Sequence, residues 1–341
     1  MSARRLFLDT CPGEVRGVVT VGGRPERLLV ERDGVEHGPR LAARYTARIT
    51  EIAQDLRLAY LDLGDGGQGV MAFKPSAAPA RGETLSAEVV AEPRADKAAV
   101  LRRLGPAAGK PGPTSPAPNL EARLRAVAPG VEMLAGADAR EAADEAEEAV
   151  LATLHDLGGG LSLSIEPTRA LTAVDVDRAG AGPGSAKALL DANLRAVAET
   201  ARLIRLKGLG GSIVIDLIGF PRESDALLAA AREAFAPDQP GLTVLPVSRL
   251  GLLQVARPHR ERPLSEVLCG PDGRLSARSV AQRITRALAR EGAANPGSRL
   301  TAACAPETAA ALRPLVAALG PRYQVVEALG WDRWTSDIRF Q

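Results

Sequence analysis

Residues 170–177 read ALTAVDVD and residues 211–216 read GSIVID, and these two short runs decide how the chain is built. Each is an apolar, β-branched run that arrives at an aspartate, Asp175 in the first and Asp216 in the second. β-Branched side chains favour extended backbone, so both runs read as strands. The second is read as buried on both faces because Ile213-Val214-Ile215 leaves no polar alternate. Residues 193–207 between them read as an amphipathic helix ending at Gly208. In an open α/β sheet, ligands bind at the carboxyl ends of strands, where both aspartates fall.

An isolated carboxylate is costly to bury, and two of them about 4 Å apart repel by roughly 4 kcal/mol at an effective dielectric near 20. A divalent cation reverses that cost, and Mg²⁺ suits one or two carboxylates completed by water and phosphate oxygens. Asp177 shares the parity of Asp175 and is placed to orient a water. Spacing alone leaves two readings open: a metal-holding pair, or strand-end acids that simply meet solvent.

Upstream of this region, short apolar runs at 6–8, 18–21 and 28–30 are punctuated by Gly22-Gly23 and Asp33-Gly34, which suggests small strands and tight turns. Runs between Tyr45 and Leu104, broken by Gly64-Asp65-Gly66-Gly67 and Arg81-Gly82, fit a five-stranded Greek-key barrel of the OB type. Residues 105–118, GPAAGKPGPTSPAP, hold five prolines and read as a semi-extended linker without packed structure. Residues 119–157 read as helical, with Asp144–Glu148 a solvated acidic face. Helix, strand, helix, strand over 279–328 makes a small α/β appendage. The domain expectation is therefore 1–39 as strands packing on the core, 40–104 as the barrel, 105–118 as linker, 119–268 as the main α/β domain and 269–341 as a small C-terminal α/β domain.

The 341 residues, 45% of them hydrophobic and 25% charged, are those of an ordinary globular protein of about two domains. A net charge of +2 neither demands nor excludes a polyanion, so a site for one must come from local clustering. Cys11, Cys269 and Cys304 are odd in number and scattered, against a disulfide framework. No apolar run of roughly 18 residues could span a membrane, and the expected location is the cytoplasm. His37, His155 and His259 stand apart from one another, so neither a histidine triad nor a zinc site is supported. Gly158-Gly159-Gly160 lacks the phosphate-loop lysine and the dinucleotide spacing.

Cationic residues cluster in two places. Arg249 and Arg257 sit inside the apolar stretch 249–257, with Arg260 and Arg262 following, and Arg195, Arg202, Arg205 and Lys207 are read on the polar side of the 193–207 helix. Guanidinium groups flanking a carboxylate–metal site are what a phosphodiester needs. Arg195 and Arg262 are better read as solvated surface. On the barrel, Tyr60 and Phe73 lie on strands and Lys97 follows, the combination of base-stacking ring and backbone-steering cation that single-stranded nucleic acid uses.

Three ordered blocks, GLSLSIEPTRALTAVDVD (160–177), ANLRAVAETARLIRLKGLGGSIVIDLI (192–218) and VSRLGLLQVARPHRERPL (247–264), resemble the catalytic region of the ribonuclease E/G family. Residues 40–104 resemble that family's S1 RNA-binding domain. The resemblance implies an α/β catalytic core, RNase H-like or DNase I-like, with an inserted OB-type S1 barrel and a small C-terminal α/β domain. It implies a Mg²⁺-dependent endoribonuclease, with Mn²⁺ the alternative ion, that hydrolyses single-stranded RNA to 5′-phosphate and 3′-hydroxyl ends in RNA processing or decay. Asp175 and Asp216 fall on the family's metal aspartates, and Asp177 on its asparagine. Tyr60 and Lys97 fall on its S1 RNA contacts, and Val70 on its second S1 aromatic. Arg169, where the family often carries an acid, joins Arg205, Lys207, Arg249 and Arg257 as an expected RNA-phosphate contact. The family's 5′-sensor subdomain has no room in 105–157, and its zinc-linking C-P-x-C pair is reduced to Cys269-Gly270-Pro271-Asp272. No zinc is expected, nor an oligomer tied by it; the expected state is a monomer or weak dimer. The alternative function is an RNA-binding protein of the same fold with little or no nuclease activity, and a DNA-directed nuclease is a weaker third.

Overall fold

The computed structural model describes residues 3–34, 38–95, 97–179, 185–219 and 224–340. His37 lies outside the described residues. The chain opens with an antiparallel meander, β1 (Arg4–Cys11), β2 (Glu14–Val21) and β3 (Arg24–Arg32). Gly22 and Gly23 both take positive φ, 59° and 81°, which a two-residue hairpin turn requires.

Next come β4 (Arg44–Ala53), β5 (Leu58–Asp62), β6 (Gln68–Ala72), β7 (Thr84–Ala91), β8 (Ala99–Pro106) and β9 (Gly112–Ser115). Strands β4, β5, β6, β8 and β7 close on themselves through pairings of β4 with both β5 and β7, giving a five-stranded barrel consistent with the S1/OB type. Ile49, Leu61, Leu85, Val89 and Leu101 fill it. The unstructured linker expected at 105–118 is corrected here. Gly105 and Pro106 finish β8, and β9 adds to β4 as an edge strand with Pro113 opposite Tyr45. An edge strand tolerates prolines because one of its sides needs no donors.

Helix α1 (Leu120–Val127) is capped by Asn119, whose side chain accepts from the Ala122 N–H. The two-residue β10 (Met133–Leu134) adds to β1, and α2 (Ala137–Leu151) follows. Then β11 (Leu154–Gly158), where helix was expected, begins the main sheet with β12 (Leu161–Pro167) and β13 (Thr172–Arg178). Helix α3 (Ala186–Leu206) crosses to β14 (Gly211–Asp216), and α4 (Ser224–Phe235), β15 (Thr243–Val244) and β16 (Leu252–Arg257) complete it. The order is β11-β12-β13-β14-β16-β15, and only β13 and β14 run parallel.

The inward parity of this sheet, including Leu163, Ile165, Val174, Ile213, Ile215, Leu253 and Val255, packs with alanines of α2, with α3, and with Phe7, Val18 and Leu28 of the N-terminal meander. Each such side chain contributes about 1.5–3 kcal/mol when buried, so this parity dictates which residues point the other way. Those are Ser162, Ser164, Ala173, Asp175, Asp177, Ser212, Val214, Asp216 and Gln254, all half to fully exposed. The chain ends with α5 (Leu264–Leu268), α6 (Ala277–Ala294), β17 (Leu300–Cys304), α7 (Pro306–Leu319), β18 (Tyr323–Glu327) and β19 (Ser336–Phe340), whose three strands carry their own small core.

A buried ionic cluster ties these parts together. Arg16 donates to Asp9 through Nε and Nη2 at 3.0 and 2.6 Å and to Glu147 at 3.0 Å. Arg286 of α6 bonds Glu147 and Glu14, and Arg32 donates to Glu14 at 2.7 Å. Glu147 is only 3% exposed, so the acidic run on α2 is not merely a solvated face.

Candidate carboxylate site on the open sheet face

Asp175 and Asp216 are directly registered neighbours on the parallel pair β13–β14, flanked by Val174–Ile215 inside. Adjacent strands stand about 4.8 Å apart, so the two carboxylates project side by side from one face. Both are exposed, because their parity is opposite to that of Val174 and Ile215. At water's dielectric, two charges 4 Å apart repel by only about 1 kcal/mol. The pair is therefore tolerable without a counterion, and no described residue hydrogen-bonds or ion-pairs with either. Among the described residues no group of three or more His, Cys, Asp and Glu forms a cage. Two open oxygen donors fit a hard dication that keeps waters and takes phosphate oxygens.

Asp177 lies on the same face, its Oδ1 accepting from the Arg178 N–H at 2.7 Å. Opposite the acids on β12 stand Ser164, registered with Asp175, and Ser162, registered with Asp177. These serines read in sequence as ordinary strand residues; the matching parity of LSLSI and AVDVD was the signal that they face the acids. Arg249 is exposed in the tight Ser248–Leu252 turn, and Leu252 is registered with Asp216, so this guanidinium stands at the acid end of the sheet.

Three expected phosphate contacts are corrected. Arg205 is 8% exposed and donates to Glu26 at 2.6 Å, to Asp238 at 2.8 Å and to the Ala234 carbonyl at 2.9 Å. Arg257 donates to Asp238 at 2.8 Å and to the Leu209 carbonyl. Lys207, 6% exposed, donates to the carbonyls of Ala149, Val150 and Ala152 at 3.1, 2.7 and 2.6 Å, capping the end of α2. Burial, then Arg202, lowers its pKa to about 8, so it keeps its proton at neutral pH. What was read as the polar side of α3 faces the N-terminal meander and the segment around Asp238. All three cations are engaged by internal partners.

The remaining expected contacts are outward-facing. Tyr60 is 39% exposed on β5 and registered with the half-exposed Val70 of β6, which is in turn registered with Val100 of β8. Phe73 instead packs on the barrel core. Lys97 is exposed and bridges to Arg94 in a hairpin beside the barrel. Arg169 is exposed in a loop at the start of β13, pinned by Thr168, whose Oγ1 donates to the Leu171 carbonyl at 2.7 Å. It therefore precedes the first residue of β13, whereas Asp175 is the fourth of that strand's seven. His155 and His259 are half-buried, and desolvation lowers both to about 4, assisted by Lys207 for the first and by Arg94, Lys97 and Arg257 for the second.

Fold and site define a barrel-bearing α/β protein with a paired-carboxylate site on an open sheet face. The Ribonuclease E/G family model matches residues 130–260, which span the whole six-stranded sheet. Over that segment, which is less than half of it, the chain is similar to the ribonuclease E/G family. It is 35% identical over 165 residues to the chloroplastic ribonuclease E/G-like protein of Arabidopsis thaliana, a match covering 43% of this chain and 16% of that one. It is 38% identical to ribonuclease E of Escherichia coli over 114 residues, covering 32% and 11% of the two chains. To ribonuclease G of the same bacterium it is 32% identical over 119 residues, covering 33% and 24%. The matched segments thus make up less than a quarter of these relatives' own lengths. No helix among the described residues is long and apolar enough to cross a membrane.

Proposed function

We propose that this chain is an endoribonuclease that uses Mg²⁺, or Mn²⁺ in its place, to hydrolyse single-stranded RNA to 5′-phosphate and 3′-hydroxyl ends. The observation that carries the reading is the register of Asp175 against Asp216 within the segment matched by the family. These two carboxylates would hold the ion, which when bound polarises a phosphoryl oxygen and lowers the pKa of a water. Asp177, two residues along the same face, accepts a proton or orients the attacking water. Ser162 and Ser164 offer hydroxyls beside the acids, and Arg249 offsets phosphate charge at that end of the sheet. On the barrel, read as an S1 domain, Tyr60 stacks a base and Lys97 steers the backbone. The α/β sheet is read as an RNase H-like or DNase I-like core because its acids stand on an uncovered polar face. Work on RNA processing or decay in the cytoplasm, as a monomer or weak dimer with no zinc link, completes the proposal.

The exposure of both acids favours one rival, an RNA-binding protein of this fold with little hydrolysis, since surface acids need no ion to be stable. A fluorogenic single-stranded RNA assay with and without Mg²⁺ separates the two. Wild type should cleave only with metal, and Asp216→Asn or Asp175→Asn should lose activity by about 10²–10³-fold, the several kcal/mol an ion contributes. The melting temperature of either variant should stay the same or rise slightly, because about 1 kcal/mol of repulsion is relieved. RNA binding without cleavage under every condition establishes the rival. The same assay on a DNA oligonucleotide tests the third reading.

A further inference from the structure

A cavity of about 370 Å³ lies at the end of the sheet away from the acids, where the barrel hairpin Arg94–Lys97 meets the starts of β13 and β14. Arg94, Lys97 and Arg169 line it, and none of them has an ion-pair partner within salt-bridge distance among the described residues. Among the described residues its one acid is Glu266, which accepts from the Ala95 N–H at 3.0 Å, against three cations. His259 also faces in, and its buried Nδ1 has no hydrogen-bond partner. The imidazole can come this close only because Gly210 and Gly211 lack side chains: a Cβ on either would stand 2.9 and 2.8 Å from its two ring nitrogens. A buried polar atom without a partner, in a cavity where three cations outnumber the single described acid, is a poor arrangement for stability alone and a good one for an anion.

Position says which anion. On the barrel, Tyr60, Val70 and Val100 form one cross-strand row, and Lys97 precedes Val100 by three residues. At the cavity's other wall, Ser212 begins the outward parity that continues through Val214 to Asp216, roughly 13 Å further at about 3.3 Å per residue. The cavity therefore lies where the approach to β8 meets the start of β14, whose outward residues lead to Asp216. We propose that it seats a backbone phosphate of the bound RNA strand, gripped by Arg94 and Arg169 with Lys97 at its mouth, and so fixes the path by which a strand on the barrel reaches Asp175 and Asp216. This inference rests on the ribonuclease reading and assigns Arg94 a role that sequence spacing did not.

The test is fluorescence anisotropy of a labelled single-stranded RNA in EDTA, where no cleavage occurs, over a series of salt concentrations. Arg169→Ala and Arg94→Ala should each weaken binding roughly 10-fold and flatten the log–log salt slope by about 0.7, the value of one lost phosphate contact on a single strand. Arg290→Ala, an exposed cation on the distant helix α6, should change neither. With Mg²⁺ added, the two cavity variants should raise KM while kcat holds. If wild type binds RNA and the cavity variants keep its slope and affinity, the phosphate seat is overturned and the ribonuclease reading stands. If wild type binds no RNA, the ribonuclease reading falls as well.

Discussion

At the scale of single residues, outward or inward parity decides chemistry here. The register of Tyr60 with Val70 leaves an exposed ring beside a half-exposed aliphatic where the family resemblance implies a second aromatic. Replacing Val70 with Phe should tighten single-stranded RNA binding by up to the 1–3 kcal/mol that one base–aromatic stack contributes, and Tyr60→Ala should weaken it by a similar amount. Anisotropy titration at fixed salt measures both, and an unchanged Kd in Val70→Phe would show that no base lies over that spot. The acids were legible from ALTAVDVD and GSIVID because each ends an apolar run. Their exposure was not, since Ile213-Val214-Ile215 carries no polar alternate and only the packing of α2, α3 and the meander selects the inner face. Arg205 and Lys207 misled for the same reason. Their partners Glu26, Asp238 and the end of α2 are distant in sequence, so nothing local marked them as internal.

At the scale of elements, the junction between α2 and α3 depends on Lys207. Its ammonium satisfies three carbonyls at the end of α2, groups a helix otherwise leaves bare. Lys207→Met should destabilise the fold by about 1–3 kcal/mol, the cost of leaving buried acceptors unmet, while leaving the salt slope of RNA binding unchanged. Urea unfolding and the anisotropy series read these separately; a flattened slope would return Lys207 to the RNA surface. The elements themselves were largely visible: β12, β13, β14, α4, β17 and α7 follow from periodicity and from glycine and proline punctuation. Strand β9 was hidden because proline density normally signals open chain, and only its place at the edge of β4 makes it tolerable. Strand β11 was hidden because LHDLG carries no β-branched residue.

At the scale of the whole molecule, titration should follow the buried groups. His155 and His259 ionise at about 4 in the fold against 6.5 in the open chain, so between those values the unfolded state binds more protons. Stability should therefore fall as pH drops from 6.5 towards 4. Glu147 extends the fall at lower pH. Burial alone would raise its pKa, but Arg286, Arg283 and Arg16 overcome that and hold it below 4.5, so its contribution is lost as it protonates. Melting temperatures between pH 7 and 3.5 test this, and a His155→Asn/His259→Asn double variant should flatten the upper part of the curve. A wild-type curve level from 6.5 to 4 would contradict the assignment.

The clasp of Arg16, Arg32 and Arg286 around Glu14 and Glu147 has one more consequence. Two of its carboxylates belong to the first half of the chain, and the guanidinium they share arrives from the last quarter. Cutting the tail away before α6 would remove Arg286 from both and leave Glu14 to Arg32 and Glu147 to Arg16, and breaking a buried pair costs about 3–5 kcal/mol. The C-terminal unit is in that sense a keystone of the sheet and cannot be trimmed as an accessory without loosening the strands that carry Asp175 and Asp216.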